Sequence, residues 1–206
     1  MIRDSFLKKW EKYLRADEWD KWGAGPDKEV QPGGFRAWGH GAYQYVADLI
    51  PKDAHKVLEL GCADGWMVHL MKEKGLDATG LTYAQGEYDC CKERGLPVIL
   101  GDMHDIPMED NSVDAVVSRQ TLEHATCLYV VLWECDRIVK PGGYLVTHVP
   151  RRLDGIDDNE EHLNTLTPLQ WTNWVTKHTN FKKIVDQGFE DEQDSFWFIA
   201  KKEGQL

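Results

Sequence analysis

The sequence predicts an α/β protein: a three-layer sandwich with a mainly parallel seven-stranded sheet and an antiparallel C-terminal strand pair. Two observations favour this fold. From Lys56 onward, short apolar runs alternate with amphipathic stretches of helix length, which is typical of a parallel sheet covered by helices on both faces. Near the end of the chain, the acidic run 190–194 separates two further apolar runs, which indicates an antiparallel pair.

The apolar runs predict seven strands, at Lys56 to Leu60, Ala78 to Tyr83, Pro97 to Asp102, Val113 to Arg119, Tyr144 to Pro150, Phe181 to Phe189 and Ser195 to Lys201. Helices are predicted between them at Gly65 to Lys74, Ala84 to Arg94 and Thr121 to Val139. We expect Pro141-Gly142-Gly143 to end the last of these, because proline and glycine do not continue a helix. A further helix is predicted after Thr167-Pro168, where threonine suits the cap and proline the first turn.

The length of 206 residues suits a single domain, since a chain of this size buries about 70% of the surface that its unfolded form exposes. We divide it into a helical, tryptophan-rich N-terminal extension (1–55), a core (56–150), and a C-terminal helix with the strand pair (151–206). The extension carries Trp10, Trp19, Trp22 and Trp38. It is expected to pack on the flank of the sheet or to form a lid over a substrate pocket.

The net charge of -11 disfavours nucleic acid as a partner, because an acidic protein repels phosphate backbones. Charges interrupt the first twenty residues every few positions, so they predict neither a signal peptide nor a membrane span, and a cytoplasmic location is expected. The five cysteines show no CxxC spacing and are expected to be reduced thiols, mostly buried.

A glycine-containing turn follows the first predicted strand, in the run V-L-E-L-G-C-A-D-G from Val57 to Gly65. Open α/β sheets bind ligands beyond the carboxyl ends of their strands. Gly61 allows close backbone approach to a ligand, and Gly65 opens the helix, whose N–H groups attract electron-rich groups. A dinucleotide fingerprint is disfavoured, because it requires glycine where this chain has Ala63 and Trp66.

This run is followed in order by G-D-M at 101–103, L-E-H at 122–124 and K-P-G-G at 140–143. With these motifs the chain resembles the class I, Rossmann-like methyltransferases that depend on S-adenosylmethionine, over roughly Lys56 to Pro150. The resemblance implies S-adenosylmethionine as cofactor and S-adenosylhomocysteine as product. It implies a structural role for the turn from Arg137 to Gly143.

The resemblance also implies which residues bind the cofactor. The methionine part would lie against the first turn, with Glu59 bracing the loop or holding the amino group; the turn itself comprises Gly61, Cys62, Ala63, Asp64 and Gly65. Asp102 would accept a hydrogen bond from the adenine amino group, and Met103 would lie against the adenine ring. Arg119 and Gln120 would border the methionine end through their backbone.

The second strand departs from the family pattern at the ribose position. The family places an acid at the end of this strand, whereas here the run T-G-L-T places Thr82 there. The sequence resembles the variant of cyclopropane-fatty-acid synthases and mycolic acid methyltransferases, in which a threonine and a glutamine bind the ribose. Glu87 takes the glutamine's spacing, and we favour it over the neighbouring Gln85.

Methyl transfer from a sulfonium depends mainly on alignment, and a base adds about 10²–10⁴-fold where the acceptor is a hydroxyl. His124 and His148 are the candidate catalytic bases, with His104 as a further histidine near the adenine side. Trp66 is expected to line the acceptor pocket, and Arg151 and Arg152 are candidates to bind an anionic acceptor. No metal site is expected, because the histidines show no His-x-x-x-His spacing and the cysteines show no ligand spacing.

Three functions stay open on the sequence. The first is methyl transfer to a small-molecule acceptor at oxygen, nitrogen or carbon. The second is a catalytically silent, cofactor-binding domain that acts as a regulatory or assembly partner. The third is methylation of a macromolecule, which the acidic balance disfavours.

Overall fold

The computed structural model describes residues 40–151, 162–191 and 194–204. Most of the tryptophan-rich extension and Arg152 lie outside these described residues. The helices are α1 (His40–Asp48), α2 (Trp66–Glu73), α3 (Gln85–Glu93), α4 (Leu128–Ile138) and α5 (Pro168–His178). The strands are β1 (Lys56–Leu60), β2 (Asp77–Thr82), β3 (Val98–Leu100), β4 (Val113–Arg119), β5 (Val139–Pro150), β6 (Lys183–Glu190) and β7 (Ser195–Lys201).

The seven strands form one sheet in the order β3-β2-β1-β4-β5-β7-β6. The first five strands pair in parallel. Strand β7 pairs antiparallel with both β5 and β6. The predicted fold class is therefore confirmed: a mainly parallel seven-stranded sheet with an antiparallel C-terminal pair.

Helices cover both faces of the sheet because its central strands are apolar on both sides. On one face, α4 and α5 bury Leu132, Ile138 and Trp171 against strand residues such as Leu58 and Val116. On the other face lies a second core, which α1, α2 and α3 share with the sheet; it includes Val46, Met67, Met71, Cys91, Val57 and Val117. These two cores give the three layers of the sandwich.

The start of the third predicted helix was wrong, whereas its end agrees to within one residue. Thr121 to Val139 is split into a short 3₁₀ helix, Leu122–His124, and α4, which begins only at Leu128. Helix α4 ends at Ile138, before Pro141, because Val139 already pairs with Val113 of β4. The segment K-P-G-G lies instead in an irregular part of β5.

Close packing explains the glycine at position 143. A Cβ atom there would lie 2.5 Å from the carbonyl oxygen of Asp114, so a larger residue would force the two segments apart.

The predicted third and sixth strands are also shorter at one or both ends, at Val98–Leu100 and Lys183–Glu190. The cap of α5 is as predicted: Thr167 accepts a hydrogen bond from Gln170 N, and Pro168 occupies the first helical position.

Arg137 of α4 ties the loop before β4 to the helix. Its guanidinium donates to both carboxylate oxygens of Glu134, at 2.9 and 2.8 Å, and to the carbonyl oxygens of Ile106 and Met108. Glu134 also accepts a hydrogen bond from Ile106 N at 2.8 Å. This arrangement fits the structural role expected for the segment that begins at Arg137.

The described part of the N-terminal extension packs on one face of the sheet. Val46, Ala47 and Ile50 are buried against the second core. Within the described ranges, no helix is long and apolar enough to cross a membrane. All five cysteines are free thiols, and three of them, Cys62, Cys91 and Cys135, are buried.

Candidate functional site

The predicted site residues gather at the carboxyl ends of the parallel strands. Strand β1 lies between β2 and β4, so the strand order reverses beside it. Connections leave such a point toward opposite faces of the sheet and open a crevice at its edge. The turns after β1, β2, β3 and β4 all reach this edge.

The turn after β1 is held in a conformation that brings backbone to the surface. Gly61, Ala63 and Gly65 have φ values of 65°, 46° and 87°. Cys62 N donates to the carbonyl oxygen of Leu81 at 3.0 Å, which fixes the turn against β2. At Gly61 a Cβ atom would lie 2.5 Å from Thr121 Oγ1, so this position accepts only glycine without rearrangement.

Glu59 is a buried carboxyl at the base of this turn. Its side chain is only 2% exposed, and its Oε2 has no hydrogen-bond partner among the described residues. Burial raises the pKa of Glu59 well above its usual range, and the nearby Arg119 acts in the opposite direction. An acceptor oxygen left in this position fits a cationic ligand group, such as the amino group of a bound amino-acid moiety.

Two side chains of the turn point into the protein. Asp64 is buried, and Arg94 contacts it through a hydrogen bond to the carbonyl oxygen at 2.6 Å and an ion pair to Oδ2 at 3.6 Å. The Cys62 side chain packs where a Cβ of Gly80 would otherwise lie. The side chains of these two residues therefore hold the turn in place.

At the end of β2, Thr82 and Glu87 are joined. Thr82 Oγ1 donates to Glu87 Oε2 at 2.6 Å and accepts a hydrogen bond from Ala84 N at 3.2 Å. Gln85 is exposed and donates instead to Asp89 at 2.8 Å. Glu87, from the first turn of α3, thus brings a carboxylate to the place where the strand itself ends in threonine.

The loop after β3 joins Asp102 to His104. Asp102 Oδ1 accepts a hydrogen bond from His104 N at 2.9 Å and lies 2.6 Å from His104 Nδ1. This hydrogen bond from the His104 side chain lowers the pKa of Asp102. Cys127 N donates to His104 Nε2, so Nε2 is the accepting nitrogen and Nδ1 carries the proton toward Asp102. Both nitrogens of His104 are engaged.

Beyond β4, Arg119 and Gln120 border the same crevice. The Arg119 guanidinium lies 4.0 Å from the ring centre of Tyr43, which comes from α1. Burial raises the pKa of Tyr43 to about 12, with Arg119 opposing the shift. Gln120 has a φ of 48°, and its side chain donates to Ser195 Oγ at 3.1 Å. Tyr43 was missed from the sequence, because nothing near it in the chain indicates that α1 folds back to β4.

His148 of β5 is fully buried. Its side chain is 0% exposed, its Nε2 lies 2.5 Å from Glu190 Oε2, and its Nδ1 lies 3.2 Å from Gln120 Nε2. Burial lowers the pKa of His148, while the hydrogen bond to Glu190 acts to raise it. A base must reach the proton that it removes, so this placement favours a role in positioning Gln120 over the direct catalysis predicted from the sequence.

The structure also changes the interpretation of Arg151. Its Nε donates to Asp194 Oδ1 at 2.9 Å and its guanidinium to Asp191 Oδ1 at 3.2 Å. Two carboxylates therefore already neutralise this arginine, which disfavours the predicted binding of an anionic acceptor. Arg152 lies outside the described residues. Trp66 is half-buried at the start of α2 and stacks on His69, with ring centres 5.3 Å apart.

His124 lies in a cluster that the sequence spacing does not reveal. It belongs to the 3₁₀ helix after β4, and its ring centre lies 5.0 Å from that of His162. The ligand atoms of His124, His162 and the buried Glu123 all lie within 4.8 Å of one another. His162 is thirty-eight positions further along the chain, so no local motif could have joined it to His124.

Comparison with known proteins finds similarity in the core of this chain. Residues 58–147 match the family model described as a methyltransferase domain. The matched residues run from β1 into β5 and include every turn described above at the carboxyl edge.

Curated relatives agree with this match. One is a probable S-adenosylmethionine-dependent methyltransferase of Mycolicibacterium smegmatis, 30% identical over 110 residues, which make up 52% of this chain and 43% of the relative. Another is the demethylmenaquinone methyltransferase of Staphylococcus haemolyticus, 31% identical over 109 residues, 49% of this chain and 46% of the relative. The chain thus matches these relatives over somewhat less than half of their length.

A solved structure shares the fold. It is a S-adenosylmethionine-dependent methyltransferase of Thermotoga maritima, described as a possible histamine N-methyltransferase, with a TM-score of 0.68 and 16% identity. The match covers 94% of this chain and 100% of that one. The family match and the relatives thus show that residues 58–147 are similar to a methyltransferase domain, and the solved structure shows the same fold.

Proposed function

We propose that this protein transfers a methyl group from S-adenosylmethionine to a small-molecule acceptor. The observation that carries the proposal is the turn after β1: three residues with positive φ present backbone at the edge of the sheet, above the buried carboxyl of Glu59. This turn lies within the segment that matches the methyltransferase domain.

The residues at the crevice fit the parts of the cofactor in order. Glu59 Oε2, buried and without a partner among the described residues, suits the amino group of the methionine part. The carboxylate of Glu87 suits the ribose hydroxyls, because a carboxylate oxygen accepts hydrogen bonds from two neighbouring donors. Asp102 and Met103 lie on the loop after β3, where they suit the adenine.

The bound cofactor supplies an electrophilic methyl group with a neutral thioether as leaving group. The chain's own task is to hold the cofactor and the acceptor in line and to exclude water, which lowers a barrier by about 7–11 kcal/mol in well-oriented systems. Thr121 supports this alignment, since its hydroxyl bonds the carbonyl oxygens of Leu60 and Arg119 and so joins the ends of β1 and β4.

Two observations favour a small acceptor. The curated relative from Staphylococcus haemolyticus is named for demethylmenaquinone, a small molecule. The net charge of -11 opposes binding of a nucleic acid. The 3₁₀ helix that carries His124 follows the end of β4, and the end of β4 borders the methionine part of the cofactor. The acceptor would enter beside this helix.

Calorimetric titration with S-adenosylmethionine and S-adenosylhomocysteine tests the cofactor site. We expect both ligands to bind, and we expect Asp102→Ala to weaken binding by about 10–100-fold, because a hydrogen bond to a charged group contributes about 1.5–3 kcal/mol. The matched control is Asp105→Ala, an exposed carboxylate on the same loop, which should leave the affinity unchanged.

Two results would contradict this proposal at different levels. If neither ligand bound the wild-type protein, the proposed function would be lost. If both bound but Asp102→Ala bound equally well, only the adenine assignment would fail. Release of S-adenosylhomocysteine during incubation with a panel of quinols, phenols and amines then distinguishes an enzyme from a silent cofactor-binding domain.

A further inference from the structure

The crevice contains a group of side chains that the proposed cofactor contacts do not use. Glu123 and His124 form part of the 3₁₀ helix directly after β4, and His162 approaches them from the segment before α5. Glu123 is 1% exposed, whereas His124 and His162 are partly open to solvent. A buried carboxylate therefore lies beneath two imidazoles at the edge of the site.

The three side chains have the donor set of a divalent cation site. Their ligand atoms all lie within 4.8 Å of one another, and His124 Nε2 lies 3.9 Å from Glu123 Oε1. Imidazole nitrogens and carboxylate oxygens bind Zn²⁺ at about 2.0–2.2 Å, so donors around one ion lie roughly 3–4 Å apart. An approach of about 1 Å, within the range of a side-chain rotation, would let all three bind one ion.

The backbone around the cluster is fixed independently of any ion. Asn164, two residues after His162, donates from Nδ2 to the carbonyl oxygen of Ala125 at 2.7 Å. Its backbone N–H donates to the carbonyl oxygen of Glu123 at 2.9 Å. These hydrogen bonds hold the His162 segment against the 3₁₀ helix, so the third donor is preorganised beside the other two.

The combination of two imidazoles and one carboxylate also indicates which ions would fit. Two neutral histidines with a carboxylate form the arrangement that binds Fe²⁺, Mn²⁺ or Zn²⁺ at one face and leaves the other coordination positions open. These open positions would lie toward solvent, because the two imidazoles are partly exposed and the carboxylate is buried.

We infer that Glu123, His124 and His162 bind a divalent cation, which in turn binds an oxygen atom of the methyl acceptor. The place of the ion beside the methyl group rests on the proposed function, whereas the ion site itself rests only on these three side chains. The cation would act as a Lewis acid: it would orient an acceptor hydroxyl and favour loss of its proton to water. The oxygen would then form a bond to the methyl carbon as the S–C bond breaks and S-adenosylhomocysteine leaves, without any redox change.

Titration of the whole chain with Zn²⁺, after treatment with EDTA and removal of the chelator, tests the ion site. We expect one high-affinity Zn²⁺ per chain by calorimetry and by elemental analysis. Glu123→Gln and His162→Ala should each weaken Zn²⁺ binding at least about tenfold, because even loss of an outer-shell partner costs 10–100-fold. His55→Ala removes an exposed histidine elsewhere and should bind as the wild type does.

The variants also separate this inference from the proposed function. His162→Ala replaces a partly exposed residue before α5, so it should fold even if the buried Glu123→Gln does not; its affinity for S-adenosylhomocysteine should stay unchanged. No Zn²⁺ binding by the wild type, or an unchanged affinity in His162→Ala, would overturn the ion site. Failure to bind S-adenosylhomocysteine would instead count against the proposed function alone.

A Co²⁺ form tests whether the ion has open positions for an acceptor. Tropolone, a small ligand that binds metals through two oxygen atoms, should shift the visible absorption of the Co²⁺ protein while Co²⁺ stays bound. His162→Ala should not hold Co²⁺, so tropolone should not shift a protein-bound Co²⁺ spectrum in this variant. An absorption spectrum of the wild-type Co²⁺ protein that tropolone leaves unchanged would overturn the role in acceptor binding.

Discussion

Gly61→Ala tests whether the turn after β1 is shaped by contact with the turn after β4. The substitution places a Cβ atom 2.5 Å from Thr121 Oγ1 and 2.7 Å from Thr121 Cγ2. It also places alanine at a φ of 65°, which side chains other than glycine adopt at a cost of about 1–2 kcal/mol. Two separate penalties are therefore expected.

The steric penalty follows from what holds Thr121. Its hydroxyl lies 3.2 Å from the carbonyl oxygen of Leu60 and 3.0 Å from that of Arg119. Rotation of Thr121 away from the new methyl group would break this bonding, at about 1 kcal/mol, and a backbone shift would add about 1–3 kcal/mol. The total loss for Gly61→Ala is then about 3–6 kcal/mol in the free energy of unfolding.

Gly95→Ala is the matched control, because Gly95 has a φ of 69° but a Cβ there would contact nothing within 4 Å. It should cost only the conformational part, about 1–2 kcal/mol. Urea unfolding followed by tryptophan fluorescence gives both values. The double variant Gly61→Ala/Thr121→Ala should recover at least about 1 kcal/mol relative to the sum of the single variants.

The double-mutant cycle of Gly61→Ala and Thr121→Ala, with its Gly95→Ala control, has two outcomes that would refute the contact between the turns. One is a Gly61→Ala variant that loses no more stability than Gly95→Ala. The other is full additivity of Gly61→Ala and Thr121→Ala, since contacting residues should be coupled. Either result would show that the turn after β1 keeps its shape without Thr121.

Two further predictions concern the stability of the fold. Arg137→Ala should lower the free energy of unfolding by about 3–5 kcal/mol, because it leaves the buried Glu134 without its main partner. Asp110→Ala removes an exposed partner of the same arginine and should cost less than about 1 kcal/mol. Thermal unfolding measures both losses, and similar losses in the two variants would contradict this prediction. Burial acts to raise the pKa of Asp114, but hydrogen bonds from Lys140 and two backbone N–H groups lower it to about 2. Since the folded pKa of Asp114 lies below the ordinary value of 3.8, its stabilisation is present above pH 4 and is lost as the pH falls toward 2. Asp114→Asn should therefore flatten the dependence of the free energy of unfolding on pH in that window. An unchanged slope in this variant would refute the role of Asp114.

Local patterns in the sequence were sufficient to predict most elements. The apolar run at Lys56 to Leu60 and the amphipathic stretch after Gly65 carry their periodicity within a few residues, so strand, turn and helix could be placed without knowledge of distant contacts. The start of the third predicted helix was wrong because this prediction, too, used local patterns alone. Nothing local marks the break before Leu128, where residues 122–124 form a 3₁₀ turn.

The sequence by itself determined the fold class and the order of the turns at the carboxyl edge, because hydrophobic periodicity and glycine positions are local properties of a chain. Only the tertiary structure decided which side chains meet there. The fold buries His148 beside Glu190, pairs Arg151 with carboxylates from another loop, and brings His162 to His124. These outcomes depend on contacts between residues far apart in the chain, and a single sequence carries no direct signal of such contacts.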